Sequence, residues 1–382
     1  MIYFKIFYLI VSAFYVWYCF HFLKGISKTK TKKLTLDNDS LPYLSVVIPA
    51  RNEEKVIERT VKSLDKQNYP KDRYKIIIVN DRSTDQTPTI LNELKNTITN
   101  LKVITITDKT EGISPKKHAL WVGVNESDSD YIVSSDADCI YNPDWLRIYA
   151  EYAHEGCGVV AGMSVFYKEN IDSSFEKLWQ GYNTVDFAAH SFVAAGAMGN
   201  GKALTANASN MMFKKSLYLE AGKGATKSNI TSGDDFFLIQ TAEKNNEKLE
   251  FVVSMNHVVR TEPVSSLFQL IEQRARWASK MTNGTPYILT FIYTLFFMYM
   301  FTFLYPVAAF FDFFDPLFYL LIIFIKVTCE ASFNFYGYGR FGLKPDLRSF
   351  LIYQIFNMPM NLIAVFKGNF YGFKWKDEKY RK

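Results

Sequence analysis

Cysteine is scarce in this chain. Its four cysteines, Cys19, Cys139, Cys157 and Cys329, have no metal-ligand spacing, and two of them fall in apolar segments. They read as small core residues of a protein in a reducing compartment. A GxGxxG turn and a Walker loop are both missing, which disfavours dinucleotide and P-loop chemistry. No internal repeat is visible. An excess of one charge sign is nearly missing too, with 44 basic against 38 acidic residues and a net charge of +6. Apolar residues at 48% and charged residues at 21% are ordinary for a globular chain and exclude disorder, collagen and a nucleic-acid-binding tail. At 382 residues the chain has room for two to three folding units without a disulfide or metal staple.

The small basic excess sits beside apolar segments. Lys24, Lys28, Lys30, Lys32 and Lys33 follow the first, and Lys367, Lys374, Lys376, Lys379, Arg381 and Lys382 follow the last. Such clusters are membrane-surface and topology signals. Residues 1–23 are long enough and apolar enough to cross a bilayer core of roughly 30 Å. They lack the basic start, short apolar run and small-residue cleavage site of a signal peptide, so an uncleaved anchor is expected. The lysines that follow place the next domain in the cytoplasm and the N-terminus outside. Pro286 to Phe311 carries no charge, Leu317 to about Cys329 returns, and Ser349 to Phe366 is weaker, interrupted by Asn357, Pro359 and Asn361. Four full spans would put the basic tail outside, against the positive-inside rule, whereas a re-entrant or interfacial last stretch keeps it inside. The expected organisation is an anchor (1–23), a basic linker (24–43), a cytoplasmic domain (44–282), a membrane region (286–366) and a basic tail (367–382).

Between Leu44 and about Lys280 short β-rich runs alternate with helical periodicity. Leu44–Pro49, Lys75–Asn80, Leu101–Ile106 and Tyr131–Ser135 read as strands, and Val56, Ile57, Thr60, Val61 and Leu64 share one helical face. Alternation of this kind predicts an α/β domain with a mostly parallel sheet. Ligands on such sheets bind beyond the carboxyl ends of the strands. The polar clusters sit there: Arg51-Asn52-Glu53, Asp81 to Asp85, and Asp136-Ala137-Asp138.

The ordered set VVIPARNEE, VNDRSTDQT, SPKKHAL, SSDADC, SGDDFFL and QRARW resembles the membrane-bound family 2 glycosyltransferases, which include cellulose, chitin and hyaluronan synthases and glucosylceramide synthases. The resemblance covers roughly residues 44–280. It implies a GT-A type, Rossmann-like fold with one N-terminal and about three C-terminal transmembrane or interfacial helices. It also implies an inverting, metal-dependent transfer from a nucleotide sugar, with UDP preferred.

Asp-x-Asp after a strand is often only a turn. At a sheet's carboxyl edge, however, Asp136 and Asp138 can hold Mg2+ or Mn2+, which bind through one or two carboxylates plus phosphate oxygens. By resemblance Asp138 contacts the metal and Asp136 lies near both metal and nucleotide. The resemblance makes Asp235 the catalytic base and puts its neighbour Asp234 on the acceptor side. A like charge and partial burial would raise a base's pKa usefully. It gives Gln273 and Arg276 to the diphosphate and Trp277 to the acceptor. Leu267, Leu270 and Ile271 give that same segment an apolar, interfacial face. Either Lys116 or Lys117 faces the nucleotide. By resemblance Glu53, Asn80 and Asp81 complete the expected nucleotide set, with Asn80 standing at the first of two positions where the family has acidic residues; its amide oxygen can still accept the uracil imide N–H. Ala206 and the segment Asn207 to Lys214 resemble the family's acceptor side.

The expected acceptor is a membrane lipid or a lipid-linked glycan, at a multi-pass cell (inner or plasma) membrane location, with no nucleic acid involved. The competing readings are a processive polysaccharide synthase, a non-catalytic nucleotide-sugar sensor or scaffold, and a nucleotidyltransferase.

Overall fold

The structure is a computed structural model and describes residues 2–108, 114–167, 173–225, 233–311, 314–375 and 378–380. Helix α1 (Ile2–Lys28) leads to β1 (Leu44–Ala50), α2 (Ile57–Asp65), β2 (Tyr74–Asp81), α3 (Thr87–Thr97), β3 (Leu101–Ile106), α4 (Pro115–Asn125) and β4 (Tyr131–Ser134). Helix α5 (Trp145–His154), β5 (Val159–Gly162), β6 (Ser164–Phe166), α6 (Ser174–Met198), β7 (Met211–Lys214), α7 (Lys215–Ala225), α8 (Asp234–Lys244), β8 (Leu249–Val252) and β9 (Val259–Thr261) follow. The chain ends with α9 (Leu267–Met281), α10 (Pro286–Leu304), α11 (Pro316–Arg340), α12 (Leu347–Phe366), β10 (Phe373–Trp375) and β11 (Glu378–Tyr380).

Two compact units result. One holds residues 29–168 and 201–263, the other 1–28, 169–200 and 264–382. The expected single block 44–282 is therefore divided, because α6 and α9 group with the apolar helices.

In the first unit a seven-stranded sheet runs β3-β2-β1-β4-β7-β5-β8. Strands β1, β2, β3 and β4 are mutually parallel, with Val47 opposite Ile77 and Val133 opposite Val46. Strand β7 is inserted antiparallel between β4 and β5. Runs such as Val46–Ile48 and Ile76–Val79 are wholly buried, as expected of a parallel sheet covered on both faces. Helix α2 buries Ile57, Thr60, Val61 and Leu64, the stripe expected from its period. Helix α4 crosses the sheet so closely that a Cβ on Gly123 would stand 2.4 Å from a Val47 methyl. The basic linker does not hang free. Glu151 of α5 accepts the backbone N–H groups of Thr35 and Leu36, the latter at 2.9 Å.

Among the described residues of the second unit, four helices are long and apolar enough to cross a membrane: 2–28, 286–307, 316–340 and 347–371. Helix α1 thus outruns the expected boundary at residue 23 by more than a turn. Helix α6, which periodicity did not bring out, packs with α9 and α12 around Trp179, Tyr182, Leu270, Phe350 and Tyr353.

Candidate active site

The predicted site residues fall in both units, and each group is coherent by itself. At the carboxyl edge of the sheet the β1–α2 and β2–α3 loops are latched together. Asn52 takes its N–H to Ser83 Oγ (3.0 Å) and accepts the Thr84 N–H on its side chain (2.8 Å). The Glu53 N–H reaches Thr87 Oγ1 (2.8 Å). Asn52 and Arg82 both have positive φ, 54° and 52°, a backbone region that non-glycine residues enter only when their surroundings hold them there.

Asn80, the next-to-last residue of β2, is 2% exposed; among the described residues its Oδ1 has no hydrogen-bond partner. A buried acceptor without a donor costs roughly 1–3 kcal/mol, so this atom is complementary to an N–H that a ligand would bring. Asp81 is equally buried, but Arg82 grips its carboxylate through Nε (2.8 Å) and Nη2 (3.1 Å).

The turn after β4 carries Asp136 and Asp138. Lys116, in the first turn of α4, is ion-paired to Asp136. Lys117 is buried in the same turn, which Ser114 caps, so the structure separates the two lysines. Thr261 Oγ1 of β9 donates to Asp138 Oδ2 at 2.8 Å, and Thr60 of α2 donates to the Ala137 carbonyl at 2.7 Å. The turn is thereby held from both sides. Burial pushes the Asp138 carboxyl up from the ordinary range, and the Asp136 charge adds to the shift. Both causes favour a cation beside the pair. Among the described residues no cluster of three His, Cys, Asp or Glu side chains assembles. The two carboxylates of Asp136 and Asp138 are a donor set that suits Mg2+ or Mn2+, which bind through one or two carboxylates and complete their shell with phosphate and water.

Gly233 precedes α8 with φ of 108°, a conformation that explains the glycine before the acidic pair. Asp235 Oδ1 accepts the Phe236 N–H at 2.8 Å. The side chain of Asp234 lies outside the described residues. Of the segment 207–214, Asn210 is fully engaged inside the fold. Its Oδ1 accepts from Trp145 Nε1 (2.9 Å) and the Tyr149 hydroxyl (2.7 Å), and its Nδ2 donates to the carbonyls of Met163 (2.9 Å) and His257 (3.0 Å). Residues 211–214 are strand β7; Ala206, Asn207 and Ala208 are partly exposed, as is Lys214, which pairs with Glu247.

In the second unit Ser266 caps α9, which carries Gln273, Arg276 and Trp277, all half-buried. Between them lies Arg274, a residue that sequence reasoning passed over. It donates to Asp186 Oδ2 (2.6 Å), Asn183 Oδ1 (2.9 Å) and Gln273 Oε1 (2.7 Å). Trp277 packs against Arg274, Phe187 and His190, with its ring 5.2 Å from that of His190. The signal available in the sequence was the polar series Gln180, Asn183, Asp186 and His190, spaced by about one turn in an otherwise apolar run.

The family model described as Glycosyl transferase family 2 matches residues 45–220. The chain is 42% identical over 109 residues to the probable glycosyltransferase YdaM of Bacillus subtilis, covering 28% of this chain and 25% of that protein. It is 28% identical over 264 residues to a beta-monoglucosyldiacylglycerol synthase of Synechocystis sp., covering 67% of this chain and 52% of that protein. The chain thus spans between a quarter and about half the length of these curated relatives. Among solved structures, the mannosyltransferase PcManGT of Pyrobaculum calidifontis, in complex with GDP-Man and Mn2+, aligns with a TM-score of 0.53 at 17% identity. That alignment covers 95% of this chain and 96% of PcManGT, a likeness of fold.

Proposed function

From the match of residues 45–220 to the glycosyl transferase family 2 model, we propose that the chain is a glycosyltransferase that transfers a sugar, with inversion, from a nucleotide sugar to a membrane lipid or lipid-linked glycan. The observation that carries the reading is the meeting of Asn80, Asp136 and Asp138 at one carboxyl edge of the sheet, where strands β1, β2 and β4 run parallel. The unpartnered Asn80 oxygen favours a base with an imide N–H, hence UDP by preference. Glu53 and Asp81 belong to the same nucleotide side, Asp81 as the anchor that orients Arg82.

Asp136 and Asp138 would hold a divalent cation, whose chemistry is to neutralise the departing diphosphate. PcManGT, the relative in fold, is complexed with Mn2+, which supports this use. Lys116, paired to Asp136, lends a second positive charge to the phosphate side, with Lys117 behind it in the same helical turn. Asp235 accepts the proton of the acceptor hydroxyl as that oxygen attacks the anomeric carbon from the face opposite the leaving group, which inverts the configuration. Gln273 and Arg276 hold the diphosphate and Trp277 contacts the acceptor, with Asp234 assigned to the acceptor side. A lipid acceptor is supported by the four helices of membrane-crossing length and by the name of the Synechocystis relative. The lysines after the first span favour a sheet domain on the cytoplasmic face.

The test is product analysis of membranes containing the protein, fed radiolabelled nucleotide sugars with Mg2+ or Mn2+ beside an Asp235→Asn variant. Label in an organic-extractable lipid, absent from the variant, is expected. Label in water-soluble material of high molecular mass would replace this reading with a processive synthase. Nucleotide binding with no transfer from any donor would replace it with a sensor.

A further inference from the structure

Helices α6 and α9 are joined by a buried cation that belongs to no predicted role. Arg274 is 6% exposed and Asp186 3%, and a buried Arg–Asp pair is on average no more stabilising than an apolar pair of the same volume. Stability alone therefore does not explain it, whereas its geometry does. The guanidinium is planar and presents donors on three sides. Two sides are taken by α6, through Asp186 Oδ2 at 2.6 Å and Asn183 Oδ1 at 2.9 Å. The third, Nη1, takes Gln273 Oε1 at 2.7 Å. The face of the group lies over the Trp277 indole, 4.2 Å from the ring centroid. From the other side Trp277 meets Phe187 and His190, two more residues of α6, and His190 is itself tied by Nδ1 to the Asp186 carbonyl at 2.8 Å.

We propose that Arg274, clamped by Asp186 and Asn183, is the positioning residue that orients Gln273 and Trp277. It rests on the reading of those two side chains as diphosphate and acceptor contacts. Because Arg274 is donor-only, it can bond only the carbonyl end of the Gln273 amide. Gln273 Nε2 is left as the donor, the polarity that a phosphate or hydroxyl oxygen requires. The same cation fixes the plane of the indole against which the acceptor is held. Lysine in place of Arg274 has one point of charge and no planar face, so it can satisfy Asp186 but cannot align both neighbours.

The test compares steady-state transfer by the full-length protein in detergent or vesicles. Breaking one partner leaves a buried charge, so the informative variant is the neutral pair Arg274→Met with Asp186→Asn, run beside Asn183→Ala, which keeps the ion pair. The expected result is a melting temperature close to wild type, a kcat at least tenfold lower, and a donor KM changed no more than Gln273→Ala alone changes it. The loss should not deepen when Gln273→Ala and Trp277→Ala are added, because the same contacts are already misplaced. Asn183→Ala should show the same split at smaller size, and Arg274→Lys should not restore kcat. A wild-type kcat in the neutral pair, or losses that multiply with those of Gln273→Ala and Trp277→Ala, would overturn the positioning role. Unchanged transfer by Gln273→Ala and Trp277→Ala themselves would instead overturn the site reading, and the inference would fall with it.

Discussion

Asn80 and His257 are both buried residues with unpartnered polar atoms, and they lead to different expectations. The Asn80 oxygen lies near the carboxyl end of β2, the edge at which ligands of parallel sheets bind. Asn80→Asp keeps an acceptor there and should retain donor binding, whereas Asn80→Leu should raise the donor KM about tenfold to a hundredfold with kcat little changed, the value of one buried hydrogen bond. Initial rates against donor concentration check this, and equal KM values in the two variants would remove Asn80 from the nucleotide site. His257 is sealed against Tyr149 and Trp145, and neither ring nitrogen has a hydrogen-bond partner among the described residues. Burial pulls its pKa down from 6.5 to about 3. The unfolded chain therefore takes up a proton that the folded chain refuses, so the stability His257 allows is intact above pH 6.5 and is lost progressively as pH falls from there toward 3. His257→Phe should flatten the fall in melting temperature between pH 7 and pH 5. An unchanged slope would assign the acid sensitivity to other groups.

Elements were legible where one physical signal dominated. Strands β1, β2 and β4 carry unbroken stretches of three or more apolar residues, β3 mixes apolar with polar ones, and the polar clusters follow β1, β2 and β4. Helix α6 did not, because it is buried on nearly every side and has almost no polar face to set a period; only Gln180, Asn183, Asp186 and His190 marked it. The antiparallel insertion of β7 was hidden because four residues, Met211 to Lys214, carry no directional information. Nor could any local pattern disclose that α1 and α6 cross at glycines. A Cβ on Gly25 would stand 1.8 Å from the Gly196 carbonyl oxygen, and one on Gly199 would stand 2.1 Å from that of Gly25. Such close approach is how membrane helices gain packing without a hydrophobic driving force. Gly25→Ala should abolish accumulation of folded protein, while Gly222→Ala in α7, with open space at its Cβ, should be neutral or stabilising by up to about 1 kcal/mol.

A second device joins α1, α10, α11 and α12. Glu330 accepts from Tyr15 (2.7 Å), Tyr299 (3.0 Å), Lys326 (2.9 Å) and Gln354 (2.8 Å), which fills its carboxylate. Removing one partner of a buried pair costs about 3–5 kcal/mol, and removing both costs far less. Lys326→Met should therefore lower the melting temperature in detergent sharply, and adding Glu330→Gln should recover most of the loss. A Lys326→Met protein as stable as wild type would mean that the pair is hydrated rather than buried.

At the scale of the whole chain, the conflict over the basic tail turns on α12. Its length and mean hydropathy suit a crossing. Its N-terminal end, however, is tied to α6 and its C-terminal end to α9. At the N-terminal end Ser349 lies against Gly181, where a Cβ would stand 2.8 Å from the Ser349 hydroxyl, and Tyr353 stacks on Tyr182 of α6. Beyond the C-terminal end, Gly368 abuts the Ala275 carbonyl of α9, the Lys374 N–H donates to Glu272 Oε2 at 2.8 Å, and Lys367 pairs with Glu272 at 3.1 Å. Since α6 and α9 are themselves bound through Arg274, a helix about 30 Å long that begins on one and ends on the other is expected to lie along one face rather than to cross. Gln354, Asn357 and Asn361, together with Pro359 inside the helix, also suit a segment buried in protein better than one facing lipid. The tail should then lie on the same side as residues 341–346, which satisfies the positive-inside rule. Single cysteines at Phe310, Lys344 and Lys379, probed with a membrane-impermeant maleimide in right-side-out vesicles, separate the arrangements. Phe310→Cys should label at once, and Lys344→Cys and Lys379→Cys only after the membrane is opened. If Lys379→Cys labels together with Phe310→Cys, α12 crosses, and its contacts with α6 and α9 are made along a transmembrane path.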